Sequence, residues 1–91
     1  MADGTFKLMV FSGKGLELET EAAMVTVPSA LGEIGFLPNH CDFIGLLDTG
    51  KVTYQASEKS GAGATFDVEG GICTFANNTL RLLADSVQIP G

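Results

Sequence analysis

The sequence predicts an all-β domain, a sandwich or a barrel, and three observations support this fold class. Apolar and polar residues alternate at period two in several short runs, as in strands with one buried face. Clusters of Gly, Asn, Ser and Pro separate these runs at short intervals, where tight turns need them. The chain also has 12 glycines in 91 residues, which disfavours a helical bundle and suits one small domain with many turns.

Three strands are predicted in the first third of the chain. In the first, residues 5–11, the apolar side chains share one side. In the second, residues 16–21, the three glutamates fall on one face and the two leucines on the other. A helix would instead place two of these glutamates four residues apart, which is an unfavourable like-charge pair. The third strand, residues 24–27, is rich in β-branched residues and ends at Pro28.

The second half of the chain contains further short strands with alternating or apolar patterns. They are predicted at residues 52–56, 65–69, 72–76 and 79–84. Turn signals at residues 57–63, 70–71 and 77–78 separate them. The segment from Thr79 onward also fits a helical stripe with Asn78 as an N-cap, but the surrounding β pattern favours a strand.

Composition excludes several classes of function. Eleven acidic residues against five basic ones give a formal net charge of −6, and the basic residues stand singly, so a nucleic-acid-binding protein is not expected. No apolar run reaches the length of a membrane-spanning helix, and the N-terminus lacks the pattern of a signal peptide. Two cysteines are too few for a disulfide framework. These features predict a cytosolic protein with reduced thiols.

The sequence predicts no catalytic, cofactor or metal site. His40, Cys41 and Asp42 are adjacent, but neighbours in an extended chain point to opposite sides and cannot form a nucleophile–base pair. Adding Cys73 does not produce the paired spacing of zinc ligands, so both cysteines are predicted to be buried or half-buried structural residues. The glycine clusters at 13–15 and 61–63 lack the spacing of phosphate-binding loops and are predicted to be turns.

One segment does not follow the pattern of alternating strands separated by turns. It is Gly32-Glu33-Ile34-Gly35-Phe36-Leu37-Pro38-Asn39-His40. Its glycines and proline interrupt two apolar stretches, which indicates a bulged strand or an exposed loop. Glu33 carries its one carboxylate and is the only charged residue from Ala22 to Cys41. It is either a solvated loop residue or a charge held for a basic partner group, and the residues alone leave both interpretations open.

This segment and its flanks resemble the epsilon subunit of F-type ATP synthases, called delta in mitochondria. That family has a valine-rich strand ending in Pro or Gly, followed by the signature Gly-Glu-[Leu/Ile]-Gly-x-x-Pro-x-His. A Gly-x-[Val/Ile] strand, a Gly-Gly hairpin and a closing [Val/Leu]-Leu-Ala-Asp come later. The matching segments here, in the same order, are residues 24–28, 32–40, 50–52, 70–72 and 82–85.

The resemblance implies that residues 1–91 form one flattened β-sandwich of about ten short strands. It also implies a non-catalytic subunit of the rotor stalk that joins the gamma subunit to the c-ring, at the cytoplasmic face of the cell membrane. Membrane association would then arise only through the complex, with no cofactor. By the same likeness, the polar loops of the c-ring would contact Gly32, Glu33 and Ile34. The gamma subunit would contact Pro38, Asn39, His40 and Asp42.

The sequence also departs from the family's pattern. Members continue into a two-helix hairpin, whereas this sequence ends at Gly91, so no C-terminal helical hairpin is expected. Cys41-Asp42-Phe43 stands where Ala-Pro-Leu is common. The alternative function is a small cytosolic β-sandwich that binds a ligand or a protein. A carbohydrate site would need an aromatic groove, yet the chain has no Trp and one tyrosine, Tyr54.

Overall fold

The computed structural model describes residues 4–56 and 63–90, and all regular structure within them is β-strand. The strands are β1 (Phe6–Ser12), β2 (Gly15–Ala22), β3 (Met24–Ser29), β4 (Gly32–Phe36), β5 (Phe43–Leu47), β6 (Gly50–Gln55), β7 (Ala64–Ala76) and β8 (Thr79–Gln88). The all-β prediction is confirmed, including a strand from Thr79 onward. Most of the turn predicted at 57–63, with two residues of the glycine cluster at 61–63, lies outside the described residues.

Strand pairing arranges the chain in two layers. The front sheet has the order β2-β1-β8-β7-β5, with residues 79–84 of β8 and 71–76 of β7; β1 and β8 run parallel and the other pairs antiparallel. The back sheet consists of β4, β3, β6, residues 64–69 of β7 and 86–88 of β8. Because β7 and β8 contribute to both layers, eight strands supply five segments to each. The predicted β-sandwich is confirmed, and within the described residues the predicted short strands, about ten in number, correspond to ten sheet segments on eight strands.

The change of layer occurs at Gly70 and Gly71, and the hairpin predicted there is wrong. Both residues lie inside β7, with φ angles of +55° and +134°. These conformations suit glycine and bend the strand without ending its pairing with β8. A Cβ atom on Gly71 would collide with the carbonyl oxygen of Leu83 and lie 2.8 Å from the Cα atom of Ala84. The bend thus depends on the close approach of two backbones.

Strand β3 also continues through the proline predicted to end it. Pro28 pairs with Glu33 on the β4 side, and its ring lies beside Gly50. Its carbonyl oxygen accepts a hydrogen bond from Asp48 N–H, 2.9 Å away, in the interval between the end of β5 and the start of β6. A proline is compatible with this position because its missing N–H faces no β6 partner in the pairing register.

The inward side chains of the two sheets form one apolar core. The alternation predicted for the first strand is confirmed, since Phe6, Leu8 and Val10 are fully buried. The second strand differs from its prediction. Leu18 packs against the core, but Leu16 is exposed, because a register shift in the β1–β2 pairing lies between them and reverses the face.

The glycine bend in β7 gives the first prediction. Replacing Gly71 with Ala forces a Cβ atom into the β8 backbone and strains a positive φ, so we expect a loss of about 3 kcal/mol or more in the free energy of unfolding. Gly35→Ala is the matched control, because nothing lies within 4 Å of a Cβ atom built there. Urea denaturation measures both. Equal stability of the two variants would contradict the proposed role of the bend.

Candidate functional site

The turn between β3 and β4 presents the predicted c-ring contacts on a hydrogen-bonded frame. The Ser29 hydroxyl donates to the carbonyl oxygen of Gly32 over 2.6 Å and accepts from Leu31 N–H over 3.2 Å. Gly32 has a φ of +112°, which allows the chain to reverse. Glu33 is exposed on the outer side of the back sheet, and no salt bridge within residues 4–56 and 63–90 includes it. Ile34 points inward against the core.

The turn that follows β4, residues 38–42 (the 38–42 turn), holds the predicted gamma contacts and is joined to the front sheet by hydrogen bonds. Asn39 has a φ of +65°, and its N–H donates to Asn78 Oδ1 over 2.7 Å. The side-chain amide of Asn78 in turn donates to the carbonyl oxygen of Thr5 over 3.2 Å. His40 N–H donates to the carbonyl oxygen of Leu37 over 3.2 Å. Side-chain and backbone hydrogen bonds therefore define the position of this turn.

The His40 ring is half-buried in an aromatic cluster. Its centroid lies 4.9 Å from that of Phe36 and 5.4 Å from that of Phe75, both in edge-to-face contact. Phe36 of the back sheet and Phe75 of the front sheet stack at 5.6 Å with an angle of 3° between their planes. His40 Nδ1 lies 2.7 Å from the carbonyl oxygen of Cys41. The ring thus anchors the turn across the junction of the two layers.

The two cysteines lie in different environments. Cys73 is buried in the core, as predicted, and burial raises the pKa of its thiol above the ordinary value, which favours the unreactive protonated form. The prediction for Cys41 is wrong, because Cys41 is exposed in the loop that precedes β5. No pattern in the sequence distinguishes the two cysteines, because the exposure of Cys41 follows from the path of the chain through the 38–42 turn.

The predicted contact residues form two separate surfaces. Gly32, Glu33 and Ile34 begin β4, whereas Pro38, Asn39, His40 and Asp42 follow its end. Four residue steps of extended chain across β4 correspond to about 13 Å. The fold therefore does not bring the two sets together, which is the arrangement that two different partners would require.

Sequence reasoning missed a third feature, an apolar row across the outer face of the front sheet. The pairing registers align five apolar side chains, one from each strand: Leu46, Ile72, Leu83, Phe11 and Leu16. Leu46, Ile72 and Leu83 remain 66%, 44% and 49% exposed. At the usual strand spacing the row is about 19 Å wide. Consecutive apolar residues within strands, such as Leu82-Leu83, were the available signal, because they place apolar groups on both faces.

The outer face of the back sheet has the opposite character. Thr26, Thr53 and Thr65 align across β3, β6 and β7. The ammonium group of Lys51 lies 3.1 Å from the carboxylate of Asp67 on the neighbouring strand. A polar face of this kind is stable in water, whereas a contiguous exposed apolar surface marks a site of association. The front sheet is therefore the face that gains most from being covered.

Neither a metal-binding cluster nor a membrane-spanning helix occurs in the described parts of the chain. Residues 4–56 and 63–90 contain no cluster of three His, Cys, Asp or Glu side chains placed to bind a metal ion. Across these same ranges, no helix has the length and apolar composition needed to cross a bilayer. The candidate site consists of surfaces: one apolar row and two hydrogen-bonded turns.

A β-sandwich with one apolar outer face and one polar outer face has the build of a protein-docking domain. Residues 5–90 match the family described as the ATP synthase delta/epsilon chain, beta-sandwich domain. The chain belongs to this family. The likeness noted from the sequence is thereby confirmed over nearly the whole chain.

Curated relatives support the same assignment. The ATP synthase epsilon chain of Desulfitobacterium hafniense is 39% identical over 88 residues, covering 97% of this chain and 64% of that protein. The epsilon chain of Streptomyces coelicolor is 36% identical over 69 residues, covering 76% of this chain and 54% of that protein. The chain thus spans less than two thirds of the length of these relatives.

Solved structures share the fold at low sequence identity. A chain of the Euglena gracilis mitochondrial ATP synthase aligns with a TM-score of 0.84 at 16% identity, over 96% of this chain and 54% of that one. A chain from the central stalk and c-ring of the Tetrahymena thermophila mitochondrial ATP synthase aligns with a TM-score of 0.74 at 14% identity, over 91% and 65%. These likenesses show the fold.

The hydrogen bonds of the Asn78 side chain lead to a prediction about the stability of the 38–42 turn. Asn78→Gly keeps the positive φ of 55° but removes the hydrogen bonds to Asn39 and Thr5. We expect it to lower the free energy of unfolding by about 1–2 kcal/mol and to speed hydrogen exchange at the Asn39 amide. Asn77→Gly, at a φ of 54°, is the control for the backbone entropy of glycine. Equal effects of the two variants would contradict the bridging role of the Asn78 side chain.

Proposed function

We propose that this chain is a central-stalk subunit of a rotary ATP synthase that couples the gamma subunit to the c-ring. It performs no chemistry of its own and acts as a peripheral component at the cytoplasmic face of the cell membrane, held there by the complex. The observation that carries the proposal is the pairing of an apolar docking face with separate hydrogen-bonded turns on one small sandwich of this family.

The gamma subunit is assigned to the outer face of the front sheet. This face carries the apolar row, and the predicted gamma contacts of the 38–42 turn are joined to the same sheet through Asn78 and through the contact of His40 with Phe75. Coverage of the row removes apolar surface from water, which is the main favourable term in stable association. The polar back sheet offers no comparable gain.

The c-ring is assigned to the β3–β4 turn. Glu33 is a carboxylate with no salt bridge among the described residues, held on a turn that the Ser29 hydroxyl braces. Such a group suits a basic side chain of a partner, because complementary charges orient two proteins and reject wrong partners. Its separation from the 38–42 turn leaves room for two partners at once.

The construction of the sandwich suits the transmission of torque. Strands β7 and β8 pass through both layers, so a load on one sheet reaches the other through continuous backbone. The core between the layers is a single cluster that includes the stacked rings of Phe36 and Phe75. A close-packed interior of this kind transmits strain with little compression.

A charge placed in the apolar row tests the gamma assignment. Leu83→Asp introduces a carboxylate at a position that is 49% exposed in the free chain but covered in the proposed complex. We expect affinity for the purified gamma subunit to fall by about 30-fold or more, as for loss of a central contact. Isothermal titration calorimetry measures the affinity, and circular dichroism confirms the fold.

The matched control for this variant is Thr53→Asp, which adds the same charge to an exposed position on the back sheet. We expect it to bind gamma as the unaltered chain does. The assignment is refuted if Thr53→Asp weakens binding and Leu83→Asp leaves it intact.

Charge reversal at Glu33 tests the c-ring assignment. We expect Glu33→Arg to leave binding of gamma unchanged and to weaken attachment of the gamma-bound chain to the c-ring, because like charges would then face each other. Co-sedimentation with detergent-solubilised c-rings measures the attachment. Glu69→Arg makes the same charge change at another exposed position of the back sheet and serves as control. Unaltered ATP synthesis in membranes that carry Glu33→Arg would remove the role of this residue.

A further inference from the structure

An open groove of about 330 Å³ lies between β5 and the β3–β4 turn. Its walls are mainly apolar and include Leu31, Ile34, Phe43 and Leu46. Leu31, at the tip of the turn, is 96% exposed, and Ile44 on the outer face of β5 is 74% exposed. The groove opens where β5 of the front sheet separates from the back sheet.

One edge of β5 is open along this groove. On that side β5 is bridged to β3 at a single residue, Leu47, which pairs with Ser29, and Asp48 N–H donates to the carbonyl oxygen of Pro28. Backbone groups alternate in direction along a strand, so Ile44 directs its N–H and C=O to the same side as Asp48 N–H. Within residues 4–56 and 63–90, no strand pairs with Ile44 on this side.

Acidic residues flank the strand that forms one wall of the groove, because Asp42 precedes β5 and Asp48 follows it. The salt bridges of the described residues join Lys7 to Glu19 and Lys51 to Asp67, so none includes either of these acids. None of the described residues that line the groove is basic. An occupant that carries a basic residue is therefore favoured over a neutral or acidic one.

We propose that an extended segment of the gamma subunit adds as a strand to the open edge of β5. Its backbone pairs with the N–H and C=O of Ile44, its alternate apolar side chains enter the groove, and a basic side chain faces Asp42 or Asp48. This inference rests on the proposed function, because Leu46 belongs both to the apolar row and to the groove, which makes the two surfaces continuous. Strand addition combines backbone affinity with side-chain specificity.

Amide hydrogen exchange tests the pairing directly. In the free chain the Ile44 amide exchanges fast, and saturation with the gamma subunit slows it by about tenfold or more, as expected for one new backbone hydrogen bond. The internal control is the Gly35 amide. The carbonyl of Pro28 points to Asp48 and away from Glu33, its partner on β4, so Pro28 and Glu33 are a non-hydrogen-bonded pair. By alternation Thr26 and Gly35 are also such a pair, and the Gly35 N–H points to the outer edge of β4. Its exchange stays unchanged, as read residue by residue by NMR.

A pair of variants separates the backbone from the side chain. Ile44→Thr and Ile44→Pro both remove the exposed isoleucine, but only proline removes the N–H donor. We expect Ile44→Pro to bind gamma at least about tenfold more weakly than Ile44→Thr. Thermal unfolding shows whether the proline variant folds, and if it does not, exchange in the unaltered chain decides.

The outcomes distinguish this inference from the proposed function. Protection of the Ile44 amide together with the difference between the two variants supports strand addition. If gamma binds and Ile44 stays unprotected, strand addition is wrong and the docking of gamma on the front sheet stands. If gamma does not bind the chain at all, the proposed function and this inference both fail.

Discussion

The close approach of β7 and β8 at the glycine bend is the constraint on which the two-layer arrangement depends. At Gly71 the backbone of β7 comes so near to Leu83 and Ala84 that no side chain fits between them. Because pairing with β8 continues on both sides of the bend, both strands leave one sheet and enter the other together. The layers are therefore connected by continuous hydrogen-bonded chain, and the core closes between them. A substitution that straightened β7 would separate the two faces from each other.

The contrast between the two outer faces follows from this arrangement. In the front sheet the pairing registers bring one apolar side chain from each of five strands into a single row, whereas in the back sheet they align threonines and a lysine–aspartate pair. Each face is a property of register, since a shift of one residue in any strand would break its row. The turns that carry Glu33 and His40 are likewise set by hydrogen bonds to other elements. The proposed docking on these surfaces needs no reactive group.

Much of the fold could be predicted from the sequence, because burial follows alternation wherever one face of a strand meets the core. Phe6, Leu8 and Val10 obeyed this rule. The predictions failed where pairing between strands decides whether a segment turns and which face a side chain occupies. Gly70 and Gly71 have the composition of a hairpin, yet β8 continues beside them and turns the pair into a bend. The position of Leu16 depends on a register shift that no local pattern reveals. The apolar row was missed because its members are far apart in sequence and meet only through strand order, although consecutive apolar residues such as Leu82-Leu83 indicated apolar groups on both faces.

In the proposed function the sandwich is held on two sides, with its apolar sheet against the gamma subunit and its β3–β4 turn toward the c-ring. A cryo-EM reconstruction of the assembled synthase that contains this chain tests the claim most directly. We predict that the side chains of Leu46, Ile72 and Leu83 are covered by the gamma subunit and that Glu33 faces the c-ring. A map in which the threonine-bearing sheet contacts gamma, while the apolar row remains open to solvent, would contradict the account.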